Sequence, residues 1–149
     1  MTSRPYLAVV QYDGGGFAGW QRQRTARTVQ GEFEAVLERL MGAPTVATGA
    51  GRTDAGVHAL GQGVSFGGSA RWADRPGDLR RALNALQPRE IWVERVHVMR
   101  AGFHARRSAT ARRYRYVIGT DDAAASPFRR PYEWALGGEG PGAHPLDVA

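Results

Sequence analysis

Apolar side chains recur along this chain with two different periods, and each change of period marks an element. Residues 4–12 (Arg-Pro-Tyr-Leu-Ala-Val-Val-Gln-Tyr) are β-branched and aromatic-rich and predict a strand. Asp13-Gly14-Gly15-Gly16 ends it with turn chemistry that tolerates positive φ. From Val29 the period becomes helical: Val29, Phe33, Val36, Leu37, Leu40 and Met41 share one face, and Glu32, Glu34, Glu38 and Arg39 fill the other. Thr28 stands where an N-cap belongs, and Gly42 suits the C′ stop. A second strand is expected over Pro44–Ala50 and a third over Gln62–Phe66, with a polar loop punctuated by glycines, Gly51–Gly61, between them. Pro76 opens a second helix carrying Leu79, Ala82, Leu83 and Leu86. Ile91–Met99 and Ala111–Gly119 predict a fourth and a fifth strand.

The order β-α-β-β-α-β, with one extra strand, predicts the α+β class. The ferredoxin-like or split βαβ arrangement fits it: an antiparallel sheet with two helices on one face, a layout shared by RNA-recognition modules. After Thr120 the pattern dissolves. Residues 137–145 (Gly-Gly-Glu-Gly-Pro-Gly-Ala-His-Pro) have linker composition, so the expectation is a domain over 1–120 and a connecting segment over 121–149.

Composition narrows the chemistry. A chain of 149 residues, 42% hydrophobic and 23% charged, is globular and buries a core without covalent staples. It has no Cys, which excludes disulfides, thiolate zinc sites and cysteine nucleophiles. Twenty basic residues face fourteen acidic ones, and all twenty are Arg. The guanidinium fork pairs with phosphate in bidentate fashion and stacks on bases, so a polyanion is the natural partner class to test. The N-terminal apolar run, Leu7 to Val10, is too short for a signal h-region or a membrane span, and a cytoplasmic protein with no membrane association is expected.

Three segments concentrate reactive groups. In Ala50-Gly51-Arg52-Thr53-Asp54-Ala55-Gly56-Val57-His58-Ala59, a carboxylate follows an arginine by two residues, and glycines on both sides let the backbone approach a ligand. In extended geometry Arg52 and Asp54 project to the same side, and the guanidinium favours an ionised carboxylate able to act as nucleophile or base. The plainer alternative is an Asx-turn residue beside a surface Arg. In the second segment, residues 103–116, five arginines interleave with His104, Tyr114 and Tyr116, which suits phosphate contact and base stacking; a half-buried edge strand with a solvated basic face reads equally well. The third, Gly19-Trp20-Gln21-Arg22-Gln23-Arg24, is either a grip on RNA backbone or a basic loop anchored by its Trp. The four His (58, 97, 104 and 144) are scattered without H-x-x-x-H spacing, so no metal site is expected, and His58 reads as a residue that orients its own loop. No Gly-Lys-Ser/Thr follows Gly14-Gly15-Gly16, which excludes a P-loop.

Gly51-Arg52-Thr53-Asp54-Ala55-Gly56-Val57-His58-Ala59 resembles the signature of the tRNA pseudouridine synthases of the TruA family. Other segments agree in order: Tyr12-Asp13-Gly14 with Gly19-Trp20-Gln21-Arg22-Gln23, Thr28-Val29-Gln30-Gly31-Glu32, Ala82-Leu83-Asn84 with Pro88-Arg89-Glu90-Ile91, Phe103-His104-Ala105-Arg106, and Arg112-Arg113-Tyr114-Arg115-Tyr116. The resemblance runs from about residue 6 to about residue 134. Two positions depart from the family pattern: Arg107 stands where an aromatic is usual and Gln87 where Leu is usual.

The resemblance implies isomerisation of uridine to pseudouridine in the anticodon arm of tRNA, at positions 38–40, without metal or organic cofactor and in a homodimer. It matches Asp54 to the catalytic aspartate, Arg52 to an arginine that pairs with it and holds the flipped-out state, and Tyr114 to the tyrosine that packs on the uracil. Arg22, Arg24, Arg106, Arg113 and Arg115 are then expected on the RNA backbone. Family members are roughly twice as long, so the chain is expected to be an N-terminal half with little activity alone. Two competing readings are a non-catalytic RNA-binding module that keeps the fold and a glycosidase-like hydrolase. The binder has no use for Asp54 among phosphates, and the hydrolase wants a second carboxylate about 5–10 Å away.

Overall fold

The computed structural model describes residues 3–136. The linker expected over 137–145 lies outside the described residues. The chain divides into two compact units, Met1–Arg112 and Arg113–Ala149, so the division falls before residue 120.

In the first unit β1 (Ser3–Tyr12), α1 (Val29–Met41), β2 (Ala47–Gly49), β3 (Ala59–Ser69), α2 (Pro76–Leu86) and β4 (Ile91–Val98) follow in the expected order. The strands form one antiparallel sheet in the order β2-β3-β1-β4, the ferredoxin-like arrangement. Alternation along β1 puts Tyr6, Ala8, Val10 and Tyr12 on the helix-covered face, where Tyr6 stands opposite Phe66 and Ala8 opposite Val64. Val29, Phe33, Val36 and Leu37 of α1 and Leu79 and Leu83 of α2 close over them. Each such buried side chain contributes about 1.5–3 kcal/mol relative to an exposed one. Both helix starts follow local rules: Thr28 Oγ1 accepts from Gly31 N at 3.2 Å, and Pro76 occupies the first turn of α2. Gly42 ends α1 with φ +77°, a conformation that favours glycine.

Side chains from the helices cap both edges of this sheet. Gln30 and Glu34 of α1 hold Ala47 of β2, with Gln30 Nε2 donating to Ala47 O at 2.8 Å and Ala47 N donating to Glu34 Oε1 at 2.9 Å. Asn84 of α2 does the same for β4, donating to Val93 O at 2.9 Å and accepting from Val93 N at 2.7 Å. Edge amides and carbonyls that would otherwise invite another strand are thereby occupied.

Three predicted strands differ from those observed. β2 is shorter than Pro44–Ala50, because Pro44 brings no N–H and only Ala47–Gly49 face β3. β3 is longer than Gln62–Phe66: it runs along the whole of β1 through Gly61, Gly63, Gly67 and Gly68, residues with no strand preference of their own. The fifth strand, expected over Ala111–Gly119, is reduced to Ile118–Gly119 (β5, after a short α3 at Ala105–Ser108). Among the described residues no strand pairs with 111–116, and only Val117 O, which accepts from Trp134 N of the last strand at 2.7 Å, has a strand partner; alternation without a hydrogen-bonding partner does not make a strand. Tyr114, Tyr116 and Ile118 are exposed.

The second unit, by itself, pairs β5 in parallel with β6 (Trp134–Ala135). Arg129 joins its parts: its guanidinium bonds the Asp121 carboxylate at 2.9 Å and the Glu133 carboxylate at 2.8 Å. Those two carboxylates hold the Arg129 proton more firmly than usual, Glu133 first.

Candidate active site

The loop between β2 and β3 carries Asp54, which is exposed. Val57 N donates to Asp54 O at 3.1 Å and closes a four-residue turn. Gly56, at its third position, has φ +81°, the sign a type II turn requires there. Asp54 thus opens a tight turn and stands clear of the sheet, free to meet a ligand.

Backbone from the segment after β1 is packed directly on this loop. Trp20 N donates to Thr53 O at 3.0 Å, and Gly56 N donates to Phe17 O at 3.3 Å. Gly14 N donates to His58 Nδ1 at 3.0 Å, so His58 does orient its loop; the same nitrogen lies 3.1 Å from Asp13 Oδ1. Accepting from the amide requires that nitrogen to be unprotonated, whereas pairing with the carboxylate requires the proton. The approach is close enough to demand glycine. A Cβ on Gly14 would lie 1.9 Å from Val57 O, and one on Gly19 would lie 2.8 Å from Thr53 O, with φ already at +87°. Trp20, 1% exposed, fills the space beneath and sits so near Gly49 that a Cβ there would lie 2.8 Å from its ring.

A second set of bonds comes from the sheet and from Arg112, which follows α3. Tyr12 OH and Thr53 Oγ1 are 2.8 Å apart. Gln62, buried in β3, accepts from Gly51 N at 3.2 Å and donates to Gly51 O at 2.7 Å. Arg112 Nε donates to Ala50 O at 2.7 Å and its Nη2 to Arg106 O at 3.0 Å. Neither Tyr12 nor Gln62 was singled out for the site from sequence, whereas Arg112 belongs to the basic stretch expected to meet phosphate. Gln62 left a signal: it shares a strand face with Val64 and Phe66, where an apolar residue is the rule.

The expected arginines divide. Arg52 is exposed beside Asp54, but among the described residues no ion pair joins the two. Both side chains are exposed, and an exposed pair gains only about 0–1 kcal/mol, set against the side-chain entropy lost in holding it. Arg22 is committed in part to structure, since its Nη1 bonds the buried Glu34 carboxylate at 2.8 Å. Its side chain is still 64% exposed, which leaves the rest of the guanidinium facing solvent. Arg24 and Arg106 are exposed. Arg113, Tyr114 and Arg115 belong to the second unit and are exposed there. Nearby, Arg27 stacks over Phe17 at 4.3 Å and pairs with Glu32 and Glu90. The Glu90 carboxyl is held below the usual carboxylate range by its own backbone N–H first and by Arg27 next.

No group of three or more His, Asp or Glu among the described residues is arranged to hold a metal ion. No helix among them is long and apolar enough to cross a membrane.

An α+β sheet presenting an exposed aspartate on a glycine-framed, doubly anchored loop defines a class of site rather than one protein. The comparisons with known proteins narrow it. The family model described as tRNA pseudouridine synthase matches residues 8–106, from β1 into α3, and the chain belongs to that family. Its relatives include tRNA pseudouridine synthase A of Solidesulfovibrio magneticus, 43% identical over 140 residues, which cover 93% of this chain and 49% of that protein. The Aeromonas hydrophila protein of the same name is 50% identical over 109 residues (73% of this chain, 40% of that protein). The one from a Methylobacterium species is 48% identical over 130 residues (87% and 51%). The chain spans about half the length of the curated relatives it matches.

Proposed function

We propose that this chain carries the catalytic loop of an enzyme that isomerises uridine to pseudouridine in tRNA, at positions 38–40 of the anticodon arm. The observation that supports this most is Asp54 itself: an exposed carboxylate on a loop whose backbone is bonded from two directions. Catalytic groups need such fixed placement, because orientation supplies much of the rate.

The reaction breaks N1–C1′, turns the uracil, and forms C5–C1′. The C5 proton leaves to a base and N1 gains a proton, so substrate and product have the same atoms and no co-reactant is consumed. A stacked base cannot turn, so the nucleotide is first extruded from the RNA. Asp54 acts in its ionised form, either attacking C1′ or removing the C2′ proton. Tyr114 provides the aromatic face that holds the detached uracil, and Tyr114 or a water beside it takes the C5 proton. Arg52 holds the extruded nucleotide, a role that engages its guanidinium when the RNA binds. Arg24, Arg106, Arg113 and Arg115, with the unshared part of Arg22, contact backbone phosphates. The complete enzyme works as a homodimer in the cytoplasm on tRNA.

Tritium release from tRNA labelled at uracil C5, catalysed by the gene's complete product, tests the reading. Asp54→Asn abolishes release while tRNA affinity stays within a few-fold. Near wild-type turnover by that variant would refute the assignment, and affinity without turnover in the wild type would favour a binding module.

A further inference from the structure

We infer that Gln62 and Tyr12 are positioning residues that set the height of the Asp54 loop above the sheet; this rests on the catalytic role proposed for Asp54. Gln62 lies on the helix-covered face of β3, in line with Val64 and Phe66. A carboxamide buried there is unfavourable unless every polar atom is paired. Both of its polar atoms are spent on one residue of the loop: Oε1 accepts from Gly51 N at 3.2 Å and Nε2 donates to Gly51 O at 2.7 Å. That pattern also assigns the amide, since the reverse orientation would set donor against donor and acceptor against acceptor. The remaining Nε2 hydrogen points toward Tyr12 OH at 3.5 Å, and Tyr12 OH in turn meets Thr53 Oγ1 at 2.8 Å. The two side chains therefore grip Gly51 and Thr53, which flank Arg52 and precede Asp54, from beneath. Only an amide does this at position 62. A carboxylate lacks the donor for Gly51 O, and an apolar side chain lacks both partners.

The same chemistry elsewhere in the fold provides an internal control. Asn84 clamps Val93 with an equivalent pair of bonds, at a sheet edge and on no candidate site residue. Losing either clamp loosens the protein, but only the Gln62 clamp bears on Asp54.

The experiment compares Gln62→Met, which conserves volume, with Tyr12→Phe, Asn84→Ala and Asp54→Asn in the gene's complete product. Gln62→Met and Tyr12→Phe lower kcat for tritium release, Gln62→Met by about 10- to 100-fold, while KM for tRNA moves less than about threefold. Asn84→Ala lowers the melting temperature and leaves kcat unchanged. Amide hydrogen exchange at Gly51 rises at least about tenfold in Gln62→Met and is unchanged in Asn84→Ala. Unchanged exchange at Gly51 overturns the clamp, whatever the activity. A Gln62→Met enzyme with wild-type kcat, alongside an inactive Asp54→Asn, overturns the positioning role and leaves the catalytic reading standing. A wild type without turnover defeats the catalytic reading, and with it the positioning role, whatever Gly51 exchange shows.

Discussion

Three glycine-to-alanine substitutions separate backbone strain from pressure on the Asp54 loop. Gly42 has φ +77° and no neighbour within 4 Å of an added Cβ, so Gly42→Ala meets strain alone. That strain is worth about 1–2 kcal/mol. Gly14 has no positive φ, but its Cβ would lie 1.9 Å from Val57 O and 2.6 Å from Val57 C. To restore even a 3.0 Å separation, the Val57 carbonyl must retreat by about 1.1 Å, and the turn that starts at Asp54 must retreat with it. Overpacking of this kind costs about 1–3 kcal/mol. A displacement of about 1 Å at a reacting group costs about 100-fold in rate. Gly19→Ala combines both effects, with φ +87° and its Cβ 2.8 Å from Thr53 O. Urea unfolding followed by circular dichroism measures the stability of each variant, and tritium release measures turnover. Gly42→Ala loses stability and keeps its rate. Gly14→Ala loses a comparable amount of stability and about two orders of magnitude in kcat, and Gly19→Ala is the least stable of the three. Equal kcat for Gly14→Ala and Gly42→Ala would refute the claim that the segment after β1 holds Asp54 in place.

Other perturbations follow from particular contacts. Gln87 carries a buried Oε1 and a buried Nε2 with no partner, so Gln87→Leu raises stability by about 1–3 kcal/mol, read as a higher urea midpoint at unchanged m-value. Glu34→Ala strips partners from Ala47 N and Gln30 Nε2 and costs about 2–4 kcal/mol. Arg22→Ala costs about 1 kcal/mol or less, because that side chain is 64% exposed and the pair is screened by solvent; the reverse ranking in denaturation would contradict the network. Arg113→Ala weakens tRNA binding most at low salt and lowers the slope of log K against log salt by about one; an unchanged slope in a filter-binding titration removes Arg113 from the phosphate contacts.

Much of the fold was legible in the residues because the signals act within a turn or two of chain. Thr28, Gly42 and Pro76 mark the ends of α1 and α2 through bonds to near neighbours. The alternation of β1 and β4 survives because one face of each is buried. The loop bearing Arg52 and Asp54 was equally visible, since its glycines and charges stand together in the sequence.

What tertiary structure alone decided are the pairings between distant residues. Glycine-rich β3 extends to Ser69 because β1 offers backbone partners there, not because its residues prefer the extended state. The run 111–116 alternates like a strand yet has no described strand to join; only from Val117 does β6 provide partners. Arg22 looked free for RNA until Glu34, twelve residues on, took one of its nitrogens. Gln62 reaches back eleven residues to Gly51, and Tyr12 reaches forward forty-one to Thr53. A hydrogen bond depends on where its two ends meet in space. Composition and periodicity specify which groups are available, and only the packed chain specifies which of them meet.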